Sequence, residues 1–463
     1  MRAMVRRIPR WLPPLALAVF AVLPYLDSVR APLLWDDYSS IVGNTAITHL
    51  WPLPLWAPAD SVVGGRPVVC LTLAINYAIS GFNTWSYHLL NVLIHALCAV
   101  VLYGLIGHTL LLSRWKGKWD LAAGPFAFAV ALIWAVHPIQ TDAVTYITQR
   151  TECLMSLFLL LTLYCSMRAS QSNHRVLWQL AAIASCALGM GCKESMAVAP
   201  ILVFLYDFIF LPPAERRNRR LLYLGLPLTL LLLPLFLSHV NMSNKSGFGL
   251  GRISSWDYLK TQAGVICHYL RLLVWPHPLS LDYFDWPIAN HIASVLLPGV
   301  FLIVLLGATL FWIFRRSWLG FAGAWFFLIL APTSSVLPIM TEIAAERRMY
   351  LPSAAVIAVV CAGVWRLWRS APKWFWITAV TLLAGALSIA TAVRNWDYRS
   401  DLAIWTDTVM KRPNDARAHL HIAMDLIQQR DFDAAVRELH TTLRLEPRYV
   451  EARRLLDELQ PPK

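Results

Sequence analysis

Charge is scarce in this sequence. Asp, Glu, Lys and Arg make up 14% of its 463 residues, against 57% hydrophobic residues and a mean hydropathy of +0.53. A soluble globular chain carries close to twice that charge fraction, which argues against a soluble fold. Acidic residues are scarcer still, 27 against 40 Lys and Arg. The eight cysteines are scattered, and none lies in the C-terminal tail. With no CxxC pair and no Cys/His cluster, they read as small buried hydrophobes, not as a disulfide framework or a metal site.

Long apolar runs are what the chain has instead. Leu221–Leu237, Ile292–Phe314 and Trp374–Ala392 each match the thickness of a bilayer core. Eleven spans are expected, at about 11–26, 88–112, 122–137, 151–168, 176–192, 195–212, 221–240, 292–314, 319–338, 351–366 and 374–393. The fold class is therefore all-α, a polytopic membrane protein of about 11 transmembrane helices. The first run, Trp11–Tyr25, follows a basic start but lacks a small-x-small cleavage site, and Pro24, Tyr25 and Asp27 come at once. It reads as an uncleaved span.

The net charge of +13 raises the question of a nucleic-acid partner, and the placement of the charges answers it. With the N-terminus inside, segments 1–10, 113–121, 168–175, 213–220, 315–318 and 366–373 hold 18 Lys and Arg. The much longer outside loops hold ten, and the tail after residue 393 holds twelve. Lys/Arg bias over short loops sets orientation, so the expectation is N-in and C-out. The basic balance is topogenic, and no nucleic acid is called for.

Residues 1–393 read as the membrane domain, with long outside loops at 27–87 and 241–291. In the first loop, Val68–Ile79 is too short to span and reads as interfacial. The second begins with the polar run NMSNKSGFGLGR. It continues with Tyr258, Leu259, Val265, Ile266, Tyr269, Leu270 and Leu273 at amphipathic-helix spacing. Residues 394–463 form a helical tail. Pro413 and Pro447 are 34 residues apart, the tetratricopeptide period, and the second unit stops after one helix. One and a half repeats must lean on the membrane domain or on a partner.

Four polar segments fall beside span ends on the expected outer face. Trp35-Asp36-Asp37-Tyr38 brings two carboxylates together; one use is a general base, and the bland alternative is a loop pair or a helix cap. His137-Pro138-Ile139-Gln140-Thr141-Asp142 closes one span, and Arg150 and Glu152 open the next. Lys193-Glu194 interrupts an apolar stretch. Glu346-Arg347-Arg348-Met349-Tyr350 starts another span with two arginines that run against the positive-inside trend. Arginine suits a phosphate in a partly dry site. Carboxylates, a histidine and three arginines at one face suggest a site for an anionic, lipid-linked substrate.

The order LLWDDYSSIVGN, GRPVVCLTLAINYAISGFNTWSYHLLNVLIHAL, WAVHPIQTDAVTYITQR, GCKES, YLRLLVWPHPLSLDY, AERRMYLPS and RNWDYRSDLAIWTDTVMKRPNDARAHLHIAM resembles the transmembrane-and-tetratricopeptide-repeat family. That family sits with the protein O-mannosyltransferases among the GT-C glycosyltransferases. The tail fragment, where the animal members carry long repeat arrays, suggests a bacterial relative.

The resemblance implies an inverting transfer of a sugar from a polyprenyl-phosphate donor to a hydroxyl of a protein, glycan or lipid acceptor. It implies a bacterial inner-membrane location among membrane lipids, with the active face and the tail periplasmic. Asp36 and Asp37 are the expected catalytic residues, with Asp36 favoured as the base. Arg347, Arg348, Arg150 and Lys193 are expected at the donor phosphate, with His137, Asp142, Glu194, Glu346 and Tyr350 supporting. No cofactor or metal is expected, although Asp36, Asp37 and His137 could supply ligands to a divalent ion. The competing functions are a transporter or flippase of a lipid-linked substrate, which would need charge at mid-membrane, and a scaffold acting through the tail.

Overall fold

The computed structural model describes residues 9–59, 61–112, 117, 119, 121–238, 240, 254–335, 338–339 and 342–460. Among them all regular structure is helical and no strand occurs. That is the expected outcome for apolar runs, since a helix satisfies every backbone N–H and C=O within itself. The basic residues of segment 1–8 and the polar run at 241–253 lie outside the described residues, as does most of the charged segment 113–121.

In chain order the helices are α1 (Leu12–Val22), α2 (Pro67–Ser80), α3 (Trp85–Leu110), α4 (Ala123–Ala135), α5 (Thr141–Thr145), α6 (Arg150–Gln171), α7 (Arg175–Met190) and α8 (Ala199–Phe210). They continue as the proline-broken α9 (Pro213–Leu237), then α10 (Ser255–Val274), α11 (Leu296–Phe314), α12 (Trp318–Leu330), α13 (Pro352–Leu367) and α14 (Lys373–Asp397). Five are long and apolar enough to cross a membrane: Trp85–Leu110, Ile147–Gln171, Pro213–Leu237, Ile292–Phe314 and Lys373–Asp397. A sixth arises if α4 and the helical stretch Pro138–Thr145, bent by 56°, count as one broken span. The expectation of eleven also counts shorter helices, among them Leu12–Tyr25, Arg175–Met190, Trp318–Leu330 and Pro352–Leu367.

Proline sets several of the breaks. Pro138 lacks an N–H and pushes His137 to an extended conformation (φ −75°, ψ 130°), so α4 stops before it. The chain then turns into α5 and α6 with Gln140, Asp142, Thr145 and Arg150 all buried. Of the two long loops, the first contributes α2, which packs Val69, Cys70, Leu73 and Ala74 inward. The second contributes α10, whose buried face carries Tyr258, Val265, Ile266 and Tyr269. Several helix ends meet at one end of the bundle. Asn395 donates to the carbonyl of Pro24 at 2.8 Å, Thr145 to Asn395 Oδ1 at 2.6 Å, and Asn91 to the carbonyl of Val144 at 3.1 Å.

The tail folds as α15 (Asp401–Lys411), α16 (Ala416–Gln428), α17 (Phe432–Leu445) and α18 (Val450–Leu459). Ser400, Asp415 and Asp431 cap the first three of these, each accepting from the backbone amide three residues on. The α16–α17 hairpin and α18 share a small core of Leu420, Ala423, Leu439 and Ala452. The tail is tied to the bundle: Arg394 of α14 bonds Asp407 at 2.6 Å, and Lys411 Nζ reaches the carbonyl of Leu279 at 2.8 Å.

The α11–α12 hairpin depends on close approach at two glycines. A β-carbon at Gly320 would lie 2.4 Å from the backbone nitrogen of Ile313, and one at Gly323 would lie 2.2 Å from Thr309 Oγ1. Backbone cannot yield as a side chain can, so Gly320→Val should destabilise the protein by about 1–3 kcal/mol. A drop in the thermal midpoint of the detergent-solubilised protein checks this; an unchanged midpoint would show that the two helices separate freely.

Candidate active site

The adjacent aspartates have unlike surroundings. Asp37 is fully buried, and its carboxylate is used up on the backbone. Oδ2 accepts from the amide of Leu34 at 2.9 Å and Oδ1 from the amide of Thr148 at 2.8 Å. It closes the tight turn in which the Asp37 amide donates to the Leu34 carbonyl at 2.6 Å, and it fastens that turn to the segment before α6. Trp35, inside the turn, has a φ of +28°, a region L-residues rarely enter. Strain of this kind costs on the order of 1–3 kcal/mol and persists only where surrounding contacts hold it.

Asp36 is partly exposed. Its amide donates to Tyr146 Oη at 2.9 Å, which sets that hydroxyl close to the carboxyl group. Burial pushes its carboxyl up to about 6; the nearby Glu342 adds to the rise, and Arg347, Tyr146 and Arg417 oppose it. Of the two aspartates, only Asp36 has a carboxylate left over for chemistry.

The structure brings Arg347 into the field of Asp36. Arg347 is buried between two carboxylates: its backbone amide and Nη1 reach Asp142 Oδ2 at 3.0 and 3.2 Å, and Nη2 is paired with Glu342. Arg348 turns the other way, with Nη1 on the carbonyl of Ile343 at 3.2 Å and Nη2 on that of Glu342 at 2.5 Å. Glu346 accepts from the amide of Ser280 at 2.6 Å and from Tyr283 Oη at 2.5 Å, and burial raises its carboxyl to about 7.

Other expected residues are engaged with partners outside this group. Arg150 is fully buried and spent on neutral oxygens: Asn91 Oδ1 and Asn76 Oδ1 at 2.6 Å each, the carbonyl of Tyr87 at 2.8 Å and Thr72 Oγ1 at 3.3 Å. It offers no open edge to a phosphate and knits α2, α3 and α6 together. Lys193 pairs with Glu152, and Glu194 pairs with Arg66 at 3.1 Å. Arg66, which the sequence reading did not single out, has a buried Nε with no hydrogen-bond partner. His137 is engaged by backbone at both nitrogens, with the amide of Ile139 at 3.2 Å and the carbonyl of Leu273 at 3.1 Å. Tyr350 lies in the core, its hydroxyl 2.8 Å from His95 Nδ1 and its carbonyl accepting from Trp134 Nε1 at 2.8 Å. Among the described residues no group of three or more His, Cys, Asp or Glu side chains is arranged to hold a metal ion.

Residues 64–240 match a family model described as dolichyl-phosphate-mannose-protein mannosyltransferase. The protein O-mannosyl-transferase F38B6.6 of Caenorhabditis elegans is 24% identical over 94% of this chain and 63% of its own length. The protein O-mannosyl-transferase TMTC2 of Mus musculus is 31% identical over 57% of this chain and 34% of its own length. The chain thus spans between about a third and just under two thirds of these two curated relatives. Among solved structures, ArnT from Cupriavidus metallidurans bound to undecaprenyl phosphate aligns with a TM-score of 0.46 and 15% identity, over 97% of this chain and 77% of that one.

The unlike aspartates give a test of stability. Asp37→Asn puts an amide donor against a backbone amide and should cost about 1–3 kcal/mol, whereas Asp36→Asn, which neutralises a partly buried charge, should not destabilise. Arg150→Ala, which leaves two buried amide oxygens and a carbonyl unpaired, should resemble Asp37→Asn. Thermal midpoints of the three purified variants decide it, and equal effects of the two asparagine changes would refute the division.

Proposed function

We propose that this relative of the protein O-mannosyltransferases is a GT-C-type glycosyltransferase. It moves a sugar, mannose by family analogy, from polyprenyl phosphate to an acceptor hydroxyl of a protein. The site faces the periplasm from a bacterial inner membrane, and the shorter apolar helices complete the eleven spans of a membrane domain at 1–393. The α16–α17 hairpin followed by α18 is a fragment of a tetratricopeptide array, within a tail at 394–463.

The observation that carries this reading is the contrast between the aspartates. Asp36 has a carboxyl raised to about 6 that is open to an incoming hydroxyl; Asp37, which burial raises to about 7, has both oxygens engaged by backbone amides and offers neither to an acceptor. In the transfer, the acceptor oxygen attacks the anomeric carbon while Asp36 takes its proton. The bond from that carbon to the phosphate oxygen breaks, and polyprenyl phosphate leaves on the opposite face with inversion. Arg347, whose charge acts on Asp36, is the cation that would meet the charge developing on the leaving phosphate, a contribution of typically about 3 kcal/mol. No cofactor or metal takes part in this scheme.

The test is transfer of labelled mannose from polyprenyl-phosphate mannose to a Ser/Thr-rich peptide by the purified protein. Asp36→Asn should lower the rate by on the order of 100-fold or more, the usual share of a general base. A variant that keeps wild-type rate would leave the reading without its base.

The pH dependence has a fixed sign. Asp36 must be ionised to accept a proton, so with its carboxyl raised to about 6 the rate should fall as pH drops through about 6. A rate that stays flat down to the ordinary carboxylate range, near 4, would show that another group is the base.

A further inference from the structure

We infer that the C-terminal tail is a clamp that sets the position of the candidate base: Arg417 and its aromatic neighbours hold Trp35, and Trp35 holds Asp36. The inference deepens the glycosyl-transfer reading and rests on it for its activity measurement alone.

The contacts run in an unbroken order. Arg417, in the first turn of α16, is buried and forks onto Asp282 of the second loop, Nε to Oδ2 at 2.5 Å and Nη2 to Oδ1 at 2.6 Å. A bidentate pair fixes the plane of the guanidinium as well as its position. That plane lies over the ring of Trp35, with the guanidinium carbon 4.4 Å from the ring centroid, and against Phe284 at 4.9 Å. Trp35 also meets two more tail residues. Trp405 and His421 stack on each other at 4.2 Å and 4°, and each meets the Trp35 ring edge-on, at 6.0 and 5.5 Å.

The residue so gripped has a positive φ and immediately precedes Asp36. An unsupported tryptophan would relax toward an ordinary backbone conformation and swing the next residue with it. The tail therefore acts at short range on the loop that carries the base, through an aromatic and cationic cage on one ring. A tail that only recognised an acceptor would have no need to bury an ion pair against that loop.

Arg417 also contributes charge. The groups facing Asp36 are Tyr146 from the turn before α6, Glu342 and Arg347 from the segment before α13, Asp37 beside it and Arg417 from the tail. Arg417 favours the ionised base, and its loss should move the acidic limb of the rate profile to higher pH.

The experiment compares full-length wild type with Arg417→Ala, Arg417→Lys, Trp35→Ala and the pair Arg417→Met with Asp282→Asn. The pair removes both charges together and guards against misfolding from an orphaned aspartate. Two readouts are taken. Hydrogen–deuterium exchange over residues 31–41 needs no donor: it should rise at least tenfold in Arg417→Ala, Trp35→Ala and the double variant, with α3 and α6 unchanged. Transfer from polyprenyl-phosphate mannose should lose at least tenfold in kcat with donor KM within twofold. Arg417→Lys should restore the acidic limb but only part of kcat, since an ammonium keeps the charge and not the fork.

Exchange at 31–41 that matches wild type in the two alanine variants overturns the clamp. So does raised exchange with unchanged kcat and pH profile. If wild type itself transfers nothing, the glycosyl-transfer reading fails, and the exchange result alone decides whether the tail holds the loop.

Discussion

One buried carboxylate accepting two backbone amides organises this protein's polar end. Asp37 holds the amides of Leu34 and Thr148, and so joins the loop after α1 to the bent segment between α4 and α6. Those two segments enter the bundle from different helices and also share an apolar cluster in which Ala31, Leu34 and Tyr146 are buried. In a low-dielectric setting an unpaired amide is costly and a charge-assisted hydrogen bond is strong, so a single side chain can fix their register. Tyr146 then reaches Asp36, Asp142 reaches Arg347, and Thr145 reaches Asn395, all from the same few residues. The segment from Thr141 to Arg150 is the hub of the site because it is the part of the chain where a helix break leaves backbone and side-chain polar groups facing inward.

The same constraint explains why two neighbouring aspartates differ. Both aspartates lie in helical backbone, where successive side chains point about 100° apart, so one can face inward and the next the surface, and what each meets sets its chemistry. Asp37 meets amides and becomes structural. Asp36 meets a tyrosine hydroxyl and a field of mixed sign and keeps a proton affinity suited to exchange near pH 6. Two carboxylates in one motif thus meet two different environments.

Much of this was legible in the sequence, and the limits have physical causes. Apolar runs reported the long helices directly, because nothing but a helix satisfies the backbone of α3, α11 or α14 in lipid. The carboxylate pair and the two arginines before α13 stood out because charge is so rare here. Arg150 stood out for the same reason and has a different place. Charge rarity cannot distinguish an arginine facing a ligand from one whose guanidinium is met by Asn76, Asn91, Thr72 and the carbonyl of Tyr87, and those partners are silent in a hydropathy profile. The separation of Lys193 and Glu194 from the Arg347 group was likewise invisible, since a shared membrane face does not mean a shared cluster. Arg66 and Arg417 were passed over because one follows a glycine pair in a loop and the other opens an ordinary-looking tail helix. Their pairing with Glu194 and Asp282 spans more than a hundred residues, a distance that no local pattern encodes.

The cations of the site arrive already matched. Arg347 lies between Asp142 and Glu342, so under the glycosyl-transfer reading a donor phosphate cannot simply add to a vacant guanidinium. It must take over part of the hydrogen bonding that a carboxylate now supplies. Such an arrangement follows from the cost of burying a bare arginine, which several kcal/mol of desolvation would penalise in the empty protein. It also limits how tightly the ground-state phosphate is held, because one anion replaces another. The advantage falls on the transition state, where charge builds on the leaving oxygens beyond what the resident carboxylate offered. Of the two partners, Asp142 also accepts the backbone amide of Arg347 and is fixed from two sides, whereas Glu342 holds the side chain alone. Under the glycosyl-transfer reading, Glu342 is therefore the carboxylate that gives way.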